Sequence, residues 1–399
     1  MNIPKLRFPE FKDEWKKRTL KELTKINQGL QIPIKDRFTS KQENSFFYIT
    51  NEFLKEDSKV KFYIKNPPKN VRCTSKDILM TRTGNTGIVI TGVEGAFHNN
   101  FFKVDYNEEF LHKYFLYLFL TNTTTQNLIL RYAAGSTILD LNHNDFYKIP
   151  ITFPTLPEQT KIANFLSEID KRIKLLTDKV SKLEEYKKGA MQKLFSQEVR
   201  FKDEKGEAFT QWENKSFKQI ASFLKGRGIT IKETKQYGRT PCIRYGELYT
   251  LYHEIINQTY SYTDLPLESL IFSKSNDVII PSSGETNIDI ATAACVIKDN
   301  IALGGDLNII RLKKDNGVFI AYYLNNYKNK EIASLAQGNA VVHLYNTHLK
   351  NLILSLPSLP EQTKIANFLS SLDTKIKLTT KELDKTEEYK KGILQQMFI

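Results

Sequence analysis

The peptide LPEQTKIANFLS occurs twice in this chain of 399 residues, at 156–167 and, letter for letter, at 359–370. Downstream of each copy the echo continues. Glu185-Tyr186-Lys187-Lys188-Gly189 returns as Glu388-Tyr389-Lys390-Lys391-Gly392, and Gln192 and Phe195 return as Gln395 and Phe398. Equivalent positions lie 203 apart (359 minus 156). A period of this length is far beyond a solenoid repeat, so the chain reads as a duplicated domain rather than an array.

Each copy opens a helix. Pro157 suits a first helical turn, where its missing N–H costs nothing, and Glu158 favours the positive end of the helix. Apolar residues follow at Ile162, Leu166, Ile169, Ile173, Leu176, Val180 and Leu183. Their alternating spacing of four and three is a heptad seam. The second copy supplies Ile365, Leu369, Leu372, Ile376 and Leu383, with Thr379 weakening one layer. Gly189 and Gly392 either end each helix or merely loosen it. A helix of about 38 residues is roughly 57 Å long, and two such helices can pair antiparallel with a head at either end.

The segments before the helices are mixed. Residues 15–26 predict a short helix, with Leu20, Leu23 and Ile26 at helical spacing. Strand-like runs follow at 46–50, 60–64, 77–82, 88–91 and 101–104, helical ones at 109–122 and 123–134, and a last strand at 149–153. The landmarks recur loosely in the second half: Arg7-Phe8 and Trp15 as Arg200-Phe201 and Trp212, Asp77-Ile78 as Asp277-Val278, Gly84 as Gly284. The fold class expected is therefore α+β, with two mixed α/β heads separated by two long helices that pair as an antiparallel coiled coil in a pseudo-twofold internal repeat. The boundaries expected are a first head at 1–155, a central helix at 156–199, a second head at 200–358 and a C-terminal helix at 359–399.

A net charge of +13 suits a polyanion, nucleic acid first. Cys73, Cys242 and Cys295 have no metal or disulfide spacing, and read as reduced thiols of a cytoplasmic protein. There is no signal core and no run long enough to span a membrane. A phosphate-binding loop of the Walker type is absent, as are hydrolase and zinc-deaminase patterns. Asn66-Pro67-Pro68-Lys69 is near the motif with which amino-methyltransferases hold a flipped base, but Lys69 replaces the aromatic residue and no donor-binding Gly loop precedes it. A proline turn is the simpler reading. Gly304-Gly305-Asp306 likewise reads as a turn, and the six dispersed histidines suggest no ligand set.

The layout of head, helix, head, helix, with LPEQTKIANFLS opening and EYKKG closing each helix, resembles the specificity (S) subunits of type I restriction–modification systems over the whole chain. The resemblance implies a non-catalytic subunit whose two target-recognition domains each read one half of a bipartite, asymmetric site in double-stranded DNA. It implies paired helices that set the spacer and dock two modification subunits, which methylate adenine N6, with restriction subunits completing the complex. It further implies that S-adenosylmethionine, ATP and Mg belong to those partners and that this chain binds no cofactor. The heptad residues named above are then the helix-pairing and subunit-docking positions.

Groove reading needs donors and acceptors on loops. The candidates in the first head are Arg82, Asn85 and Thr86 on the Gly turn, Ser136 and Thr137 after Gly135, and Thr50 and Asn51. In the second head they are Ser282, Ser283, Glu285 and Thr286, Asn339, and Arg244 and Tyr245, with Lys225 and Arg227 as phosphate contacts. The copies differ in chemistry at these places. Two other readings stay open on the residues alone: a coiled-coil adaptor between proteins, which unlike basic heads disfavour, and an enzyme acting on DNA, which the missing donor-binding loop disfavours.

Overall fold

The computed structural model describes residues 3–55, 58, 60–134, 139–338 and 341–398. The chain divides into two compact units, Met1–Thr177 with Lys381–Ile399, and Asp178–Thr380. Both cuts fall inside the long helices, Leu156–Phe195 and Leu359–Met397, at equivalent positions of the repeat. Each unit is thus a head plus the opening turns of the helix that follows it and the closing turns of the other helix. Both helices run through their glycines. Nothing lies within 4 Å of where a Cβ on Gly189 or Gly392 would sit, so neither glycine answers a steric demand of its own unit.

In the first unit the segment predicted as one helix over 15–26 is a strand, a single helical turn and a second strand: Lys16–Thr19, Leu20–Leu23 and Thr24–Gln28. Long-range pairing overrides the local periodicity. Lys16–Thr19 pairs antiparallel with Pro150–Phe153, and Thr24–Gln28 with Phe101–Tyr106. The intervening turn is capped by Glu22, whose carboxylate accepts from the Thr19 N–H and hydroxyl at 2.7 and 2.8 Å. Leu20 and Leu23 remain buried, which is what the periodicity registered. The second unit repeats this arrangement with Glu213–Ser216, Phe217–Ile220 and Ala221–Lys225, and Gln219 as the cap.

Around this start the first head builds two four-stranded sheets, and the second head a five-stranded and a three-stranded sheet beside smaller ribbons. The registers match between heads. Thr24–Gln28 against Phe101–Tyr106 corresponds to Ala221–Lys225 against Leu307–Leu312, and Leu79–Thr81 corresponds to Asp277–Pro281 on the other side of that strand. Gly29 and Gly226 follow the equivalent strands. A Cβ on either would meet a carbonyl oxygen, of His98 at 2.2 Å or Gly304 at 1.9 Å, so only glycine fits.

Each core is shared between head and helices. The first head's apolar cluster, with Phe102, Phe115 and Phe146 fully buried, takes in Ile162 and Leu166 from the first long helix and Ile393 and Met397 from the second. The second head's cluster takes in Ile365 and Leu369, and Met191, Leu194 and Phe195. The repeated phenylalanine packs on the head in both cases: Phe398 stacked on Phe115 at 5.0 Å, and Phe195 edge-on to Tyr323 at 5.4 Å.

Candidate nucleic-acid interface and the clamps that hold it

The repeated Glu-Gln pair does more than start a helix. Glu158 is buried and receives Nε and Nη2 of Arg7 at 2.7 and 2.8 Å, and the Trp15 indole N–H at 3.3 Å. This bonding raises the Arg7 pKa further above its ordinary value. Glu361 receives Arg200 in the same way at 3.0 and 2.7 Å. Trp212, the counterpart of Trp15, leaves its buried indole N–H without a partner. Gln159 accepts from the His112 N–H at 2.8 Å and donates to the carbonyls of Phe110 and Pro154 at 2.7 and 2.9 Å. Gln362 accepts from Asn316 N–H and donates to Asp315 and the Pro357 carbonyl. These buried amides fasten each helix start to the helix of the head that begins at Lys113 or Gly317.

A second repeated clamp ties in the closing turns. Tyr114 donates to Asp170, which also pairs with Lys390 at 2.5 Å. In the second unit Tyr322 donates to Asp373, which pairs with Lys187 at 2.5 Å. Burial and the neighbouring carboxylates push both tyrosine hydroxyls well above their usual pKa. In the first unit Arg172 bonds Glu382, so position 170 faces 390 while 172 faces 382, and the helix segments run antiparallel. Among the heptad residues Ile162, Leu166, Leu176, Ile365, Leu369 and Leu372 are buried, whereas Ile169, Ile173, Val180, Leu183, Ile376 and Leu383 are half-buried. Thr379 is buried and turns its hydroxyl back onto the Lys375 carbonyl at 2.8 Å. Ile162, Leu166, Ile365 and Leu369 therefore pack into the heads, a role their heptad spacing alone does not reveal.

The loop candidates gather at the ends of matched strands. Arg82 N–H donates to Asn100 and its carbonyl accepts from Leu141; Ser282 makes the equivalent bonds to Asp306 and Leu344. Thr83 bridges Asp140, and Ser283 pairs with His343. On this common backbone the side chains differ. In the first head Arg82 grips Asp140 through Nε at 3.1 Å and Nη2 at 2.7 Å, the Thr83 hydroxyl joins the same carboxylate, and the His143 ring nitrogen meets Gln28 Oε1 at 2.6 Å. The bonded Arg82 guanidinium holds the Asp140 carboxyl below the usual carboxylate range. Burial, reinforced by the Arg82 charge, holds the His143 imidazole below its ordinary value. In the second head the Ser283 hydroxyl lies 3.2 Å from Asp306 and 3.1 Å from His343 Nδ1.

The remaining candidates fall as follows. Thr50 is buried, and Asn51 donates to the Thr83 carbonyl at 3.2 Å, so the 50–51 segment and the Gly84 turn meet. Asn85 is exposed. Thr86 is buried and spends its hydroxyl on the Arg82 and Leu139 carbonyls, which holds the turn. Ser282 is buried with its hydroxyl unpartnered. Glu285 and Thr286 are exposed, Thr286 bonding Asp289. Arg244 is half-buried, with a backbone bond to Glu247 and an unpartnered Nε, and Tyr245 packs beside Tyr249. Lys225 and Arg227 are exposed. Ser136, Thr137 and Asn339 lie outside the described residues. Sequence reasoning read Asp306 only as part of a turn and missed Gln28, Asp140, His143 and His343, which are distant in the chain and reach the loops through strand pairing and side-chain hydrogen bonds.

Asn66-Pro67-Pro68-Lys69 is a turn between the strands Phe62–Lys65 and Arg72–Cys73, with Pro67 accepting from Arg72 Nε at 2.7 Å. Gly304-Gly305 is likewise a turn, bonded to Ile243 and Gly228. Among the described residues no group of metal-ligating side chains is found, and no helix is long and apolar enough to cross a membrane.

This architecture is one already seen in other proteins. The profile of the type I restriction modification DNA specificity domain matches twice, over residues 12–185 and 210–388. The specificity subunit of the type I restriction enzyme MjaVIII of Methanocaldococcus jannaschii is 26% identical over 373 residues, covering 88% of this chain and 85% of that protein. A putative type I restriction enzyme specificity subunit, MjaX, from the same organism is also 26% identical, covering 98% of this chain and 95% of its own length. The crystal structure of the type I restriction-modification S subunit from M. genitalium superposes with a TM-score of 0.65 at 18% identity, covering 100% of this chain and 99% of that one. The chain belongs to the type I restriction–modification DNA specificity family, whose members are the non-catalytic specificity subunits.

Proposed function

We propose that each head reads one half of a bipartite, asymmetric site in double-stranded DNA, and that the paired helices set the spacer and dock two modification subunits. One observation carries this reading. The two heads hold matched loops on matched strands with different side chains, Arg82 with Asp140 in one and Ser283 with His343 in the other, while the helices and clamps are repeated nearly unchanged. A fixed frame with variable loop ends is what two different half-sites require. Lys225 and Arg227 serve as phosphate contacts, which orient a head without specifying bases. S-adenosylmethionine, ATP and Mg belong to the modification and restriction subunits, and the complex works in the cytoplasm.

The test is the genome-wide N6-methyladenine motif in cells carrying this chain with its modification subunit. A two-part motif with a fixed spacer is expected, and insertion of seven residues into a long helix is expected to change the spacer and leave both half-sites intact. A continuous motif, or an unchanged spacer with altered half-sites, overturns the reading.

A further inference from the structure

Arg82 is already held in one orientation. A guanidinium has five N–H donors in a rigid planar fork. Asp140 takes the edge formed by Nε and one hydrogen of Nη2. Gln28 Oε1, 3.5 Å from Nη1, lies toward a third donor. Among the described residues no acceptor other than Asp140 and Gln28 meets the guanidinium, and the facing hydrogens of its two terminal nitrogens form the end edge of the fork. The cluster reaches solvent, with the side chains of Arg82 and Asp140 27% and 33% exposed.

The spacing of that end edge suits two adjacent acceptors, and in the major groove only guanine offers such a pair, O6 and N7. A fork fixed before binding loses little side-chain freedom on contact, which favours specificity at this position. The matched place in the second head carries Ser282 and Ser283, with no fork.

We propose that Arg82, positioned by Asp140, reads a guanine in the half-site of the first head through the free end edge of its guanidinium. This rests on the reading that the first head binds duplex DNA. It makes Arg82 a specificity residue, not a phosphate contact, and Asp140 a positioning residue.

The experiment uses the chain assembled with its modification subunit, and duplexes in which each position of the first half-site is replaced in turn. Wild type is expected to prefer guanine strongly at one position. Arg82→Lys keeps the charge and loses the fork, so the preference there should fall by roughly ten- to a hundredfold, with the second half-site unaffected. Asp140→Asn should weaken preference at the same position only, whereas a purely structural role would lower binding to all duplexes alike. An intact preference in Arg82→Lys, or an equal loss at every position, overturns the proposal. If replacing the whole first head leaves both half-sites unchanged, the underlying reading fails instead.

Discussion

Leu6 donates its backbone N–H to the Gln396 carbonyl at 2.9 Å, as Val199 does to Lys193 at 3.2 Å. The two bonds occupy equivalent places in the repeat. One closes a loop in the continuous chain after the first long helix, and the other joins two segments remote in the sequence. The segment holding Arg7 is thereby placed over Glu158 as the segment holding Arg200 is placed over Glu361.

Removing one partner of these buried pairs leaves an uncompensated charge. Arg7→Ala or Arg200→Ala should cost on the order of 3 kcal/mol in the unit concerned, read from denaturant midpoints. A loss below about 0.5 kcal/mol, the scale of an exposed pair, would show that the clamp does not hold the head.

Gln159 satisfies one backbone N–H and two carbonyls at once. Gln159→Ala should destabilise the first unit by about 2 kcal/mol by orphaning them. Gln159→Glu should be worse, because it keeps the acceptor but brings a buried charge among carbonyls. Hydrogen exchange at the His112 amide checks the order, and equal protection in both variants would refute it.

Gly189 and Gly392 lie inside long helices with open space around them. Changing either to Ala should stabilise by up to about 1 kcal/mol, since Ala has the better helix propensity and the less disordered unfolded chain. Thermal unfolding reads this directly. A destabilised variant would mean that the helix needs the glycine's freedom.

Asp140 and His143 give the first head a pH dependence. The Asp140 carboxyl is depressed, so its contribution is present above the unfolded value near 4 and lost as pH falls through the lower folded value. The His143 imidazole is also depressed, so the unfolded chain takes up its proton first, and stability declines as pH falls below about 6.5. The stability gap between wild type and Asp140→Asn should close as the pH is taken below 4; a constant gap argues against the ion pair as its source.

Cys73, Cys242 and Cys295 are buried, and burial raises each thiol to about 12. A thiol reagent at neutral pH should label none of them until the surrounding unit opens. Cys73 then reports on the first unit, and the other two on the second. Rapid labelling in the absence of denaturant would contradict their burial.

The frame of this fold was legible because it is written as repetition and period. The duplicated dodecamer, the heptads from Ile162 to Leu183 and the flanking prolines locate both long helices. Residues 16–28 were not legible as strands, because Leu20 and Leu23 imitate a helical face while the partners that decide the matter, Pro150–Phe153 and Phe101–Tyr106, are remote. Distance in the chain also hid Asp140 and His343 from the loops they join. Glu158 and Gln159 looked like a favourable helix start, and nothing local shows that Arg7 and His112 arrive to bury them.

The second unit is one uninterrupted stretch, Asp178–Thr380, whereas the first needs residues from both ends of the chain. Ile393 and Met397 belong to the core of the head that a ribosome makes first. The head begun earliest must therefore wait for the last turns of helix, while the head begun later can close sooner, the reverse of the usual order of synthesis. Protease digestion of released chains that stop at residue 380 should find the later head resistant and the earlier one cleaved. Deleting residues 393–397 would therefore spoil the core of a head whose own strands and helices lie before residue 155.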